Sequence, residues 1–161
     1  MQLIAGHDLK YLPIVRTLFR EYADAIEVDL CFQDFDRELA ELPGKYAPPT
    51  GRLIVAFEGS EPAGCIALRA IGDGICEMKR LYVRPPFRRQ GLGRKLAHAT
   101  LAAAREEKYE LMRLDTLASM HDAIALYESL GFQQIPAYCH NPEDNAVFME
   151  LKLRPEISRQ P

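Results

Sequence analysis

Apolar residues recur at helical spacing through Leu9, Leu12, Val15, Leu18, Phe19 and Tyr22, predicting a helix in the first third of the chain. A second, short helix is expected from Asp34 to Leu42, where Phe35 and Leu39 stand four apart and Pro43-Gly44 brings it to a stop. The period then changes. The compact apolar run Leu53 to Phe57 reads as a buried strand, Glu58-Gly-Ser-Glu61 as a hairpin turn, and Ala63 to Ala70 as the returning strand. Gly72-Asp-Gly74 turns the chain into a third strand, Ile75 to Val83, completing an antiparallel meander. A long helix is predicted over Gly91 to Lys108, with Leu92, Leu96, Ala99 and Ala103 on one stripe. Leu111 to Leu117 is a strand. Met120 to Leu130 is a helix ended by Gly131, and Phe132 to Ile135 and Ala146 to Leu153 are late strands. A meander followed by crossover helices implies an α+β fold containing one parallel strand pair.

Composition narrows the class. With 161 residues, 48% of them apolar and 27% charged, the chain suits a single soluble domain. No apolar run approaches the ~20 residues of a membrane span, and the N-terminus lacks a signal-peptide pattern. Cys31, Cys65, Cys76 and Cys139 form no C-x-x-C pair, so free thiols in a reducing, cytoplasmic setting are expected. His7, His98, His121 and His140 do not cluster as ligands, and no metal is expected.

The strand Ile75 to Val83 should be central, yet it carries Glu77, Lys79 and Arg80. Strict alternation sets Glu77, Lys79, Leu81 and Val83 on one face and Cys76, Met78, Arg80 and Tyr82 on the other. Neither face is cleanly apolar. The charges read either as an ion pair of Glu77 with Lys79 or Arg80 on a solvated face, or as functional groups.

The charge balance of −3 conceals a local concentration. Lys79 to Lys95 (KRLYVRPPFRRQGLGRK) holds seven Lys/Arg and no acid; outside it, 13 basic residues face 23 acidic ones. Gly91-Leu92-Gly93 lets the backbone approach a ligand closely at a helix start, where amide N–H groups and the helix dipole favour an anion. Arg88, Arg89, Arg94 and Lys95 add cations, an arrangement suited to a pyrophosphate. The acidic remainder argues against a general nucleic-acid binder.

Arg88-Arg-Gln-Gly-Leu-Gly93 resembles the R/Q-x-x-G-x-G/A signature of the GNAT superfamily of acyl-CoA-dependent N-acetyltransferases, and it stands between a strand and a long helix as that family has it. Ala123-Ile-Ala-Leu-Tyr127-Glu-Ser-Leu-Gly131-Phe132 is similar to the family's second motif, A-x-x-L-Y-x-x-x-G-F. The resemblance covers roughly Leu53 to Leu153. It implies a three-layer α/β/α fold whose mixed central sheet splays to admit acetyl-CoA, with residues 51–153 as cofactor-binding core and residues 1–50 as acceptor-site helices. It also implies that main-chain groups of Leu81, Tyr82 and Val83 meet the pantetheine arm. Arg88, Arg89, Gln90, Gly91, Leu92, Gly93 and Arg94 would cradle the diphosphate, and either Arg84 or Lys95 would meet the adenosine phosphate. Where many relatives carry Asn, this chain has Met120, so polar contact there must come from elsewhere, with Ser119 a candidate.

The implied chemistry is direct acetyl transfer to a primary amine in a ternary complex. Glu77 is the candidate general base, directly or through water, and Tyr127 the candidate general acid for the departing thiolate. A backbone N–H near Val83 would stabilise the oxyanion. Tyr127 also reads as a core tyrosine on the stripe Met120, Ile124, Tyr127. Tyr138 and the segment His140-Asn-Pro142 could edge the acceptor pocket. Between Glu21 and Glu41 lie eight acidic residues and a single base, Arg37, with Tyr22, Phe32 and Phe35 interspersed: a rim for a cationic acceptor, or a solvated face. The alternative to an enzyme is a non-catalytic acyl-CoA sensor. Edge strands near the C-terminus leave a homodimer open.

Overall fold

The computed structural model describes residues 1–30 and 34–154. Cys31, Phe32 and the tail expected to be loose after Pro155 lie outside the described residues.

The elements are β1 (Gln2–Ala5), α1 (Leu12–Ile26), α2 (Phe35–Glu41), β2 (Arg52–Glu58), β3 (Glu61–Gly72), β4 (Ile75–Val83), α3 (Leu92–Glu106), β5 (Leu111–Leu117), α4 (His121–Ser129), β6 (Gln133–Ile135) and β7 (Ala146–Lys152). They build one seven-stranded sheet in the order β1-β2-β3-β4-β5-β7-β6. All pairings are antiparallel except β4 with β5. Alternation along β3 sorts the two cores. Ile66 and Leu68 join Leu96, Leu101, Met112, Leu114 and Met149 in a core against α3, whereas Cys65 and Ala67 join Val15, Leu18, Phe19 and Val55 in a core against α1 and α2.

Two departures from expectation concern the N-terminal third. β1 was not expected, since four residues with no fully buried position offer too little pattern to read. Leu9 precedes α1 in a 3-10 turn and is 83% exposed, because Pro13 sets the helix start behind it.

The parallel ladder is short. β4 and β5 pair only at Ile75↔Leu111, Cys76↔Met112 and Glu77↔Arg113, and then they part. Strict alternation also fails on β4. Cys65 pairs with Tyr82 and Ala67 with Lys79, so Arg80 and Leu81 together oppose Ile66 in a bulge, with Arg80 at φ +60°. Beyond it the faces exchange. Leu81 and Val83 lean on the α3 core with Cys76 and Met78, while Tyr82 lies in the α1–α2 core. Glu77 and Lys79 therefore do not share a face with Leu81 and Val83.

Candidate active site

Where the two strands part, a cleft opens. β4 contributes Met78 to Leu81, and β5 contributes Asp115 to Leu117. Met120 and Tyr127 come from the start and middle of the α4 segment, and Asn141 and Glu143 from the loop before β7. The fourth side is Tyr22, Ile26, Val28 and Leu30, from the end of α1 and the turn beyond it.

Tyr127 lies in this cleft, 7% exposed, with its ring edge-on to Phe132 at 5.8 Å. Burial, aided by the fields of Tyr22 and Asp115, pushes its phenol well above the ordinary value. It therefore holds its proton throughout the neutral range.

Glu77 sits at the last rung before the fork and is 2% exposed; it does not line the cleft. Its Oε1 accepts from Arg69 Nε at 2.8 Å and lies 3.7 Å from Lys79 Nζ, and its Oε2 accepts from the Tyr138 hydroxyl at 2.6 Å. Of the two partners expected for Glu77, Lys79 is the one beside it, whereas Arg80 meets Glu38 (Nε to Oε2 3.0 Å, Nη2 to Oε1 3.2 Å). The face is thus a buried polar network, not a solvated one. Arg69 was missed because its strand neighbours are apolar and nothing local marks it as Glu77's partner.

Asp115 was also missed, although Leu-Asp-Thr in an apolar strand is the same anomaly that singled out β4. Its Oδ1 is 3.5 Å from Lys79 Nζ, and its Oδ2 accepts from Asn141 Nδ2 at 3.2 Å. The loop between β6 and β7 is consequently fastened at both sides of the fork: Tyr138 to β4, Asn141 to β5. Tyr138 further packs edge-on to Phe148 at 5.5 Å and under the Arg113 guanidinium at 5.5 Å. Burial and the neighbouring Glu77 carboxylate raise its phenol far above the ordinary value.

Met120 occupies the N-cap of α4 with no side-chain cap, a position where an Asn would accept from the helix amides. Its sulfur instead receives the Thr116 hydroxyl at 3.5 Å. Ser119 is exposed and does not line the cleft; the polar amide there is Asn141.

At the far end of β4 the chain turns through Pro85–Phe87 into residues 88–94. Arg89 (φ +61°) and Gly91 (φ +77°) are left-handed. Lys95 N is the first amide to bond back, to Gly91 O at 3.0 Å; among the described residues no protein group accepts from the amides of residues 89 to 94. A Cβ at Gly91 would meet nothing within 4 Å, and one at Gly93 would lie 3.7 Å from Leu126 and 4.0 Å from Val83. These amides thus stand open beside the end of the parted strand. Arg88 Nε donates to Val83 O at 2.8 Å, and Arg94 Nη2 to Ser129 Oγ at 2.9 Å. Of the two further cations, Arg84 is paired with Glu21 at 2.9 Å, and Lys95 Nζ donates to Met1 O at 3.0 Å.

The acidic rim is arranged differently from expectation. None of the eight acids between Glu21 and Glu41 lines the cleft among the described residues. Glu21 is held by Arg84, Glu38 by Arg80 and Tyr46, and Glu41 by Arg37. Burial opposes charge on Arg80, yet Tyr46 and Glu38 keep its guanidinium above the ordinary pKa. Cys65 and Cys76 are buried free thiols and Cys139 an exposed one; burial pushes Cys76 up to about 12. Among the described residues no group of three or more His, Cys, Asp or Glu could hold a metal ion, and no helix is long and apolar enough to cross a membrane.

The model of the Acetyltransferase (GNAT) family matches residues 14–132. The chain is 41% identical over 140 residues to an uncharacterized N-acetyltransferase of Schizosaccharomyces pombe, covering 86% of each. A solved structure from Klebsiella pneumoniae described as an acyl-CoA N-acyltransferase is 31% identical, with a TM-score of 0.69 over 95% of this chain and 96% of that one. YncA of Salmonella typhimurium, solved with its cofactor acetyl-CoA, shares the fold at a TM-score of 0.68 and 21% identity, covering 99% and 98%. A family match across most of the chain, on a mixed sheet that parts between β4 and β5, places this protein in the GNAT family of N-acetyltransferases.

Proposed function

We propose that the protein transfers an acetyl group from acetyl-CoA to a primary amine, with both bound together at the fork of the sheet. The observation that carries this reading is the set of open amides, residues 89 to 94, standing where the parted β4 edge ends and leading into a cleft that holds Tyr127. The residues present fit acetyl-CoA. Amide donors at a helix start suit its diphosphate, and the space around Gly91 allows close approach. Beyond Glu77 the β4 edge no longer pairs with β5, so main-chain groups of Leu81 and Val83 are the proposed partners of the pantetheine arm, flanking Tyr82. An arm bonded to Val83 O displaces Arg88 toward the diphosphate.

Acetyl-CoA supplies an acyl group already activated as a thioester. An acceptor amine arrives as an ammonium with a pKa near ~10.4 and must lose a proton before it can attack. As the C–N bond forms and the C–S bond breaks, the Tyr127 phenol gives its proton to the departing sulfur. Glu77 is the proposed destination of the amine's two protons in turn, one lost before attack and one as the C–N bond forms, each passed on to solvent. Arg69, Lys79 and Tyr138 occupy its oxygens, so the transfer runs through an intervening water. Solvent then restores the Tyr127 proton, and the net change is acetylated amine, free thiol and one released proton.

Isothermal titration with acetyl-CoA, followed by thiol-release assays over a panel of primary amines, tests the proposal. Binding together with turnover of at least one amine is expected. Tight binding with every amine inert selects the sensor reading instead.

A further inference from the structure

We propose that the acceptor is a small primary amine with one positive charge and an apolar body, its ammonium seated at Asp115 and its body against Ile26, Val28 and Leu30. This rests on acetyl transfer at the fork as proposed above.

Charge is the first argument. Among the described residues, four charged side chains line the cleft: Lys79, Arg80, Asp115 and Glu143. Arg80 is compensated by Glu38, and Lys79 by Asp115 at 3.5 Å, while Glu77 behind them is matched by Arg69 at 2.8 Å. Glu143 remains as one excess negative charge on the cleft wall. One ammonium neutralises the cleft; a second leaves it positive in a partly buried space, where an uncompensated charge is costly. Among the described residues none of the acids between Glu21 and Glu41 lines the cleft, and three of them, Glu21, Glu38 and Glu41, are paired with Arg84, Arg80 and Arg37.

Asp115 is the best-placed anchor. It lines the cleft together with Tyr127, whereas Glu77 does not. Lys79 reaches Oδ1 at 3.5 Å and Asn141 reaches Oδ2 at 3.2 Å, both long, so an incoming ammonium takes a shorter bond at Oδ2 while Glu143, not the Lys79-compensated Asp115, balances its charge. Asn141 keeps the carboxylate oriented from the loop. Glu77, with two contacts of 2.8 Å or less, has no such room.

The body of the acceptor is set by the opposite wall. Ile26, Val28 and Leu30 face the cleft on one side and Leu117 and Met120 on another. A hydrocarbon chain removes this surface from water, whereas a carboxylate or second ammonium placed there loses its own hydration without a partner.

The test compares hexylamine with its terminal diamine and its terminal amino acid, each with saturating acetyl-CoA in a thiol-release assay. Hexylamine is expected to exceed both in kcat/KM by about 100-fold. Equal or better use of the diamine or the amino acid overturns the inference, as does turnover of a polyamine or peptide with hexylamine inert. Asp115→Asn should raise the hexylamine KM about 30-fold while the acetyl-CoA titration stays unchanged; an unchanged KM removes Asp115 as the seat. Val28→Asp, at a half-buried position, should shift preference toward the diamine, a gain that misfolding cannot imitate; no shift refutes the assignment of the apolar wall. If acetyl-CoA binds and no amine of any class releases thiol, acetyl transfer itself fails and takes this inference with it.

Discussion

Replacing Glu38 with Gln should destabilise the protein far more than its place on a short helix suggests. The Arg80 side chain is 2% exposed, and Glu38 takes its Nε and Nη2 through both oxygens while also accepting the Tyr46 hydroxyl at 2.5 Å. Removing one partner of a buried ion pair costs about 3–5 kcal/mol, because the remaining charge keeps its desolvation penalty. Two features reduce that here. The Gln amide oxygen still accepts one bond, and Arg80 lies over the Tyr22 and Phe35 rings at 5.7 and 5.3 Å. A loss of about 2–3 kcal/mol follows, which for a chain of this size lowers Tm by roughly 5–10 °C. Thermal unfolding followed by circular dichroism reads it directly. The double replacement Glu38→Met with Arg80→Met should recover most of the loss, since no lone charge is left behind. A Tm of Glu38→Gln within the error of the parent would refute the reasoning, and so would a double variant less stable than the single.

Tyr127→Phe should lower turnover by about 10²-fold or more with acetyl-CoA affinity intact by calorimetry; unchanged turnover removes its role as acid. Glu77→Gln should flatten the rise of rate with pH, and an identical profile takes Glu77 out of the mechanism. Gly64→Ala should harm stability more than Gly91→Ala. Its Cβ would stand 2.5 Å from the Tyr82 carbonyl oxygen, whereas at Gly91 only the positive φ opposes it, at roughly 1–2 kcal/mol. Equal Tm values for the two would contradict this. Tyr46, Tyr127 and Tyr138 all have folded-state pKa values above the unfolded 10.0, so the unfolded chain loses those protons first. Their contribution is complete below pH 10 and declines above it, and Tm measured from pH 9 to 11 should fall beyond pH 10. A Tm that held level there would show these phenols to be solvated.

The strands of the meander were legible because each is bounded by turn chemistry, such as Gly59 and Gly74, both at positive φ. Gly131, left-handed at φ +99°, ends α4 as its position after an apolar stripe suggested. The charged residues of β4 announced that something unusual happens there, but not what. A bulge at Arg80 carries no glycine to mark it, and the partners of Glu77 arrive from β3 and from the loop before β7, some 8 and 61 positions away. The acids of the N-terminal third illustrate the opposite error. Their density was plain, yet orientation depends on how α1 and the turn beyond it pack, and there Ile26, at the end of α1, and Val28 and Leu30, in the turn, are the residues that reach the cleft.

The three-rung junction between β4 and β5 makes the sheet two stiff wings on a narrow hinge. Tyr138 and Asn141 act as stitches across the open seam. If a long, extended guest completes the missing rungs as proposed, its arrival should be felt as slower amide exchange in both wings at once, far from any atom it touches.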